Sequence, residues 1–221
     1  MNNEEMLAKV DHTLLKPYAT WADIRQICED AIAYHTATIC IPPSYIGRIR
    51  EAYGDQVTIC TVIGFPLGYQ VTEVKVAEAK KALEDGASEI DMVINIGDAK
   101  GGRFDAVTEE IRALKKAVGD HVLKVIIETC YLTEEEKIEL CHCVTEAGAD
   151  FIKTSTGFGS AGANLEDVKL LRANVGPQVK VKAAGGIRSI ADMEDFINAG
   201  ADRLGTSSAI QLIKGENSSG Y

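Results

Sequence analysis

The sequence predicts an α/β protein folded as a single (β/α)8 TIM barrel, and three observations carry that prediction. Short β-branched runs alternate with amphipathic stretches along the whole chain. A pentapeptide of one physical type, Gly-Ala-polar followed by two strand residues, recurs at 86–90, 148–152 and 200–204. Eight such units in 221 residues leave about 28 residues apiece, the short end of what a closed barrel needs. An open doubly wound sheet is the rival, but it usually has fewer strands at this length.

The elements follow in order. Strands are expected at 10–15 (the weakest), 37–41, 57–63, 89–94, 122–127, 151–153, 179–181 and 203–204. Helical patterns lie between and after them, at 21–34, 44–53, 71–85, 104–118, 134–147, 165–174, 190–199 and 207–214. Within them apolar residues recur at three- and four-residue spacing, as at Ile111, Leu114 and Val118. Three carry a start signal: Thr20, Thr133 with Glu136 three residues on, and Asn164 with Asp167 three residues on. In each pentapeptide the glycine can take the positive φ that ends a helix, and the polar residue turns the chain into a strand. No linker or low-complexity block interrupts this pattern before the last seven residues. The expected organisation is therefore a barrel domain over 1–214 and a flexible tail over 215–221 that ends on Tyr221.

Composition narrows the function. Acidic residues outnumber basic ones 33 to 23, giving a net charge of −10. A chain so acidic lacks the basic face that nucleic acid or an anionic membrane would require. No run of 18 apolar residues occurs, so no membrane span is expected. The acidic start resembles no signal peptide, and the six cysteines lack framework spacing. Reduced thiols and a cytoplasmic location are the expectation. No metal centre is expected either. On a helix the residues of Cys141-His142-Cys143 point different ways, and the other histidines are scattered.

In a barrel, chemistry gathers at the C-terminal ends of the strands. Three of those ends carry an ionisable residue where an apolar one belongs: Asp91, Lys153 and Lys182. A lysine at the end of a short internal strand can attack a carbonyl and form an imine, provided its amine is neutral. A second ammonium about 5 Å away, as Lys182 on the neighbouring strand would supply, disfavours protonation by roughly 3 kcal/mol. Asp91, close to two ammoniums, could pass protons to and from the substrate. Thr156, Gly157, Gly185, Gly186, Gly205, Ser207 and Ser208 follow strands six to eight, where amides of glycine-rich loops cradle phosphate. The glycines at 157, 159 and 162 also match a dinucleotide fingerprint. The strand about 20 residues on reads Val-Lys-Val-Lys-Ala and lacks the ribose-binding acid, so that reading is rejected.

Five segments together resemble the deoxyribose-phosphate aldolase family over essentially the whole chain. They begin Asp11-His12-Thr13, Glu89-Ile90-Asp91, Phe151-Ile152-Lys153, Lys182-Ala183-Ala184 and Arg203-Leu204-Gly205. The resemblance implies a class I aldolase that reversibly cleaves 2-deoxy-D-ribose 5-phosphate to D-glyceraldehyde 3-phosphate and acetaldehyde, in deoxyribose and deoxyribonucleotide catabolism. It assigns the imine to Lys153 and proton transfer to Asp91 and Lys182; Asp11 and Thr13, in the first matching segment, are candidate auxiliary residues. Independently of the resemblance, the seven-residue tail, at up to about 3.5 Å per residue, could bring the Tyr221 hydroxyl to the site, the alternative being a frayed terminus with no role. It implies no cofactor, a phosphorylated sugar as the small-molecule partner, and a homodimer or homotetramer. Two positions depart from the pattern. Phe158 stands where some members carry a lysine, and Ala183 where a proline is common. Another Schiff-base aldolase or transaldolase, or a non-catalytic sugar-phosphate-binding barrel, remains an alternative.

Overall fold

The structure, a computed structural model, describes residues 1–215. In chain order it contains α1 (Asn3–Leu7), β1 (Val10–Thr13), α2 (Trp21–Tyr34), β2 (Thr38–Ile41), α3 (Ile46–Tyr53), β3 (Ile59–Ile63) and α4 (Thr72–Glu84). There follow β4 (Glu89–Val93), α5 (Ile96–Lys100), α6 (Phe104–Val118), β5 (Val122–Ile126), α7 (Glu134–Glu146) and β6 (Phe151–Lys153). The last third supplies α8 (Leu165–Asn174), β7 (Lys180–Ala184), α9 (Ile190–Asn198), β8 (Arg203–Thr206) and α10 (Ala209–Ile213). The eight strands pair in parallel, each with the next, and β8 pairs with β1 to close the barrel. Expected tail residues 216–221, Tyr221 among them, lie outside the described residues.

Sequence signals explain the helix ends. Thr20 and Thr133 each form a capping box with the acidic residue three positions on, and the Asn164 side chain accepts from the Asp167 N–H. The repeated pentapeptide works alike in all three places. Its glycine takes a φ of 112°, 75° or 111° at positions 86, 148 and 200. The third residue then donates its N–H to the adjacent strand: Ser88 to Ile59, Asp150 to Leu123 and Asp202 to Val181. The carboxylates of Asp150 and Asp202 also accept from the N–H groups of Leu123 and Val181. Each loop thus sets the start of one strand against the one before it.

Three features differ from the expectation. Helix α1 precedes the barrel, its Met6 and Leu7 buried, in a segment too short for periodicity to register. β7 runs on to Ala184 and β8 to Thr206. Alanine, glycine and lysine at those ends hide strands that a β-branched pattern would reveal. α5 fills the turn after β4, capped by Asn95.

Alternation along the strands separates two environments. Outward residues such as Ile39, Ile59, Ile90, Leu123, Ile152, Val181 and Leu204 join the helices in one continuous apolar core. A smaller cluster of Leu15, Cys40, Cys60 and Val62 forms apart from it. The inward positions of the other strands carry Asp11, Glu89, Asp91, Lys124, Lys153, Lys182 and Arg203, beside apolar residues such as Val93, Ile126 and Phe151. The apolar core therefore lies between barrel and helices, and the barrel interior is free to hold charge.

Candidate active site

Four strands bring four basic groups to the barrel axis: Lys124 from β5, Lys153 from β6, Lys182 from β7 and Arg203 from β8. Against them stand three carboxylates, Asp11 from β1 and Glu89 and Asp91 from β4. Asp91 is the hub. Its Oδ2 lies 2.6 Å from the Lys153 Nζ and 2.7 Å from the Lys182 Nζ. Its Oδ1 accepts from the Lys124 Nζ at 2.9 Å and from the Cys60 Sγ at 3.1 Å. Lys182 also binds Asp11, whose other oxygen accepts from Thr38 at 2.8 Å and pairs with Arg203. Lys124 reaches Glu89 at 2.6 Å. Phe151 lies beneath, with the Arg203 guanidinium 5.5 Å from its ring centre.

Lys153 and Lys182 are register partners across β6 and β7, as their neighbouring strand ends imply. The expected direct meeting of two ammoniums is modified, because the Asp91 carboxylate bonds to both. Burial by itself would raise the Asp91 pKa, but Lys124, Lys153 and Lys182 together outweigh it and hold the carboxyl well below the usual range. Burial likewise works against the ammonium of Lys182, and Asp11 and Asp91 override it. The same holds for Lys124, with Asp91 the strongest of its supports. Four cationic side chains therefore face three carboxylates.

Above the cluster opens a cleft. Lys153 lines it, and so do Thr13, Thr156, Gly157, Gly185, Gly186, Gly205, Ser207 and Ser208. Apart from Tyr221, which lies outside the described residues, the site residues expected from the sequence fall into one place, with Asp91, Lys182 and Asp11 buried below the cleft and the rest around it. Their donors are not alike. The N–H groups of Gly157, Gly186 and Ser207 have no hydrogen-bond partner among the described residues. Thr156 instead gives both its N–H and its hydroxyl to Glu128. Ser208 gives its N–H to Thr206, and its hydroxyl lies 3.4 Å from the Ile187 carbonyl. The N–H groups of Thr156 and Ser208 are thus engaged within the protein.

The glycine at 162 has a packing reason. A Cβ there would lie 2.5 Å from the Gly185 carbonyl carbon, so the two loops touch backbone to backbone. Cys141 and Cys143 are buried on different sides of α7, toward Leu171 of α8 and Phe104 of α6, while His142 between them is exposed. Cys40, Cys60 and Asp91 come close enough to offer three ligand atoms. A metal ion there would have to displace the ammoniums that already occupy both Asp91 oxygens.

Sequence reasoning passed over Lys124, Glu128 and the roles of Glu89 and Arg203. Lys124 carried a readable signal, an ionisable residue at an inward position inside Val-Leu-Lys-Val-Ile, the same signal that singled out Asp91. Glu128 carried none, since it lies beyond the strand and reaches the site through a left-handed backbone at φ 55°.

A closed parallel barrel that gathers lysines around a carboxylate beneath a glycine-rich cleft defines an enzyme of the aldolase class, a carbon–carbon lyase. The sequence pattern described as DeoC/LacD family aldolase matches residues 5–210, and the chain belongs to that family. It is 66% identical over 221 residues, all of both chains, to a deoxyribose-phosphate aldolase of Clostridium botulinum (strain Alaska E43 / Type E3). It is 56% identical over 218 residues to one of Clostridioides difficile (strain 630), covering 99% of this chain and 100% of the relative. The tetrameric deoxyribose phosphate aldolase of Aeropyrum pernix superposes with a TM-score of 0.91 at 35% identity, over 97% of this chain and 92% of that one. Among the described residues no helix is long and apolar enough to cross a membrane.

Proposed function

We propose that the protein reversibly cleaves 2-deoxy-D-ribose 5-phosphate to D-glyceraldehyde 3-phosphate and acetaldehyde, through an imine on Lys153. One observation carries the reading: the Asp91 Oδ2 sits within 2.7 Å of both lysine amines at the floor of the cleft. The names of relatives matched over the full chain support the choice of substrate.

The neutral Lys153 Nζ attacks the aldehyde carbon C1, and loss of water from the resulting carbinolamine gives a protonated imine. The iminium is the electron sink. Because the two-carbon product is acetaldehyde, the bond that breaks joins C2 to C3. Its electrons move into the iminium to form an enamine as the C3 hydroxyl gives up its proton. C3 leaves as the aldehyde of glyceraldehyde 3-phosphate. The enamine is then protonated at C2, and water hydrolyses the imine to release acetaldehyde and restore the lysine. Asp91 and Lys182 are the proton-handling pair, already joined by a hydrogen bond. Gly157, Gly186 and Ser207 supply the N–H groups that hold the substrate phosphate at the cleft wall. In solution the chain forms a homo-oligomer, as the Aeropyrum pernix relative does.

The reading is tested by coupling acetaldehyde release to an NADH-dependent alcohol dehydrogenase. Deoxyribose 5-phosphate is the substrate, with fructose 1,6-bisphosphate in parallel. Turnover of the first and not the second is expected. The reverse preference would move the protein to another Schiff-base aldolase activity, and no turnover of either would favour a binding barrel.

A further inference from the structure

Glu128 stands out because nothing in the chemistry above uses it. It follows β5 at the mouth of the barrel and is buried, 2% exposed. Its backbone adopts φ 55°, ψ 67°, a left-handed conformation that a residue with a Cβ takes only where the surroundings hold it. The holding contacts are two hydrogen bonds, from the Ile127 N–H to the Lys153 carbonyl at 3.0 Å and from the Thr129 N–H to the Thr154 carbonyl at 2.9 Å. Both run to the chain that carries Lys153 into the cleft. The turn is thereby tied to β6 and its exit, and the left-handed residue sends its carboxylate under the loop that follows.

That loop is built around the carboxylate. The Thr156 N–H lies 3.2 Å from Oε1 and 3.3 Å from Oε2, and the Thr156 hydroxyl donates to Oε2. The same hydroxyl oxygen accepts from the Phe158 N–H at 2.9 Å. Further on, the chain passes so close that a Cβ at Gly159 would lie 3.0 Å from the Glu128 carboxyl carbon. Gly157 is the residue between the two anchored neighbours. Its φ is 88°, it lines the cleft, and its N–H has no partner among the described residues. A glycine alone would let that segment rotate. With Thr156 and Phe158 both tied, directly or through one hydroxyl, to a single carboxylate, the direction of the Gly157 N–H is fixed before any ligand arrives.

We propose that Glu128 is a positioning residue for phosphate: it anchors both neighbours of Gly157 and so sets the loop N–H that holds the substrate's phosphate. The inference rests on reading the cleft as the phosphate site. It makes Glu128 a determinant of preference for phosphorylated over unphosphorylated substrate, with no part in the bond-breaking step. Burial pushes the Glu128 carboxyl upward, with the Thr156 bonds and Lys153 opposing. The anchor is therefore a costly group to keep, which suits a device that orders a loop in advance.

The test compares kcat and KM for 2-deoxyribose 5-phosphate and for unphosphorylated 2-deoxyribose, in the wild type and in Glu128→Gln. The amide keeps the size of the side chain but removes its charge and one of its two acceptors: its oxygen, placed where Oε2 sits, still faces the Thr156 hydroxyl and N–H, while its NH2 group meets that N–H donor where Oε1 accepted. The expected result is a rise in KM for the phosphorylated sugar of about tenfold, the scale of one weakened charge-assisted hydrogen bond. kcat for either sugar, and kcat/KM for the unphosphorylated one, should stay within about twofold. Thr156→Val removes the hydroxyl that links Glu128 to Phe158 and should show the same selective loss; it decides the matter if Glu128→Gln does not fold. An equal loss on both sugars, or a fall in kcat with KM unchanged, would overturn the inference. So would an unaltered ratio between the sugars. A wild type that shows no preference for the phosphorylated sugar would instead overturn the phosphate reading itself.

Discussion

Replacing Lys124 with methionine probes the charge cluster at its least expected member. The side chain is fully buried and bonds to Asp91 Oδ1 at 2.9 Å and Glu89 Oε2 at 2.6 Å, with the Cys60 Sγ at 3.2 Å. Methionine fills similar volume and removes the charge. At an effective dielectric of about 20, each ion contact is worth about 6 kcal/mol before desolvation. Restoring the ammonium's hydration offsets much of that, and removing one partner of a buried pair typically leaves a net loss of about 3–5 kcal/mol. Guanidinium unfolding with linear extrapolation should show a loss in that range, a large fraction of a total of about 5–15 kcal/mol. The double variant Lys124→Met, Glu89→Gln removes one charge of each sign. It should recover at least about 1 kcal/mol relative to the sum of the single losses. A Lys124→Met protein within about 0.5 kcal/mol of wild type, the scale of an inert surface change, would refute the idea that this lysine holds the cluster together.

Other expectations follow from the same geometry. Asp91 and Asp11 have depressed folded pKa values, burial being outweighed by their cationic neighbours, so their stabilisation is present above the unfolded value of 3.8 and lost as pH falls through the folded values. Lys124 and Lys182 have raised folded values, so theirs is complete below the unfolded 10.5 and lost as pH rises through the folded values. The stability difference between wild type and Lys124→Met should therefore be flat between those limits and shrink below pH 3.8; a difference that disappears near neutral pH would contradict the assignment. Gly162→Ala should raise KM for phosphorylated substrate, because its Cβ would strike the Gly185 backbone at 2.5 Å; a KM equal to that of wild type would mean this loop contact does not shape the phosphate cleft.

The barrel was legible because its signals are local and repeated. β-branched runs, caps at Thr20, Thr133 and Asn164, and three copies of one turn each act within a few residues. Lys153 and Lys182 were legible for the opposite reason, since an ionisable residue at an apolar strand end conflicts with its surroundings. What escaped the sequence depends on closure. That one Asp91 oxygen bonds to both lysines, instead of the two ammoniums meeting directly, follows from β4, β6 and β7 curving around one axis, which no periodicity encodes. The pairing of Arg203 with Asp11 joins residues from the two strands that close the barrel. Thr156 reads as a phosphate ligand by position, yet its donors turn to Glu128, because only the folded loop reveals a carboxylate beneath it.

The central claim, that Lys153 forms the imine, is tested most directly by trapping. The protein is incubated with acetaldehyde, reduced with borohydride, digested and mapped by mass spectrometry. The expected result is loss of activity with a reduced two-carbon adduct on Lys153 alone, in the peptide that leads into Thr154 and Ser155. An adduct on Lys182 or Lys124, or full activity after reduction, would contradict it.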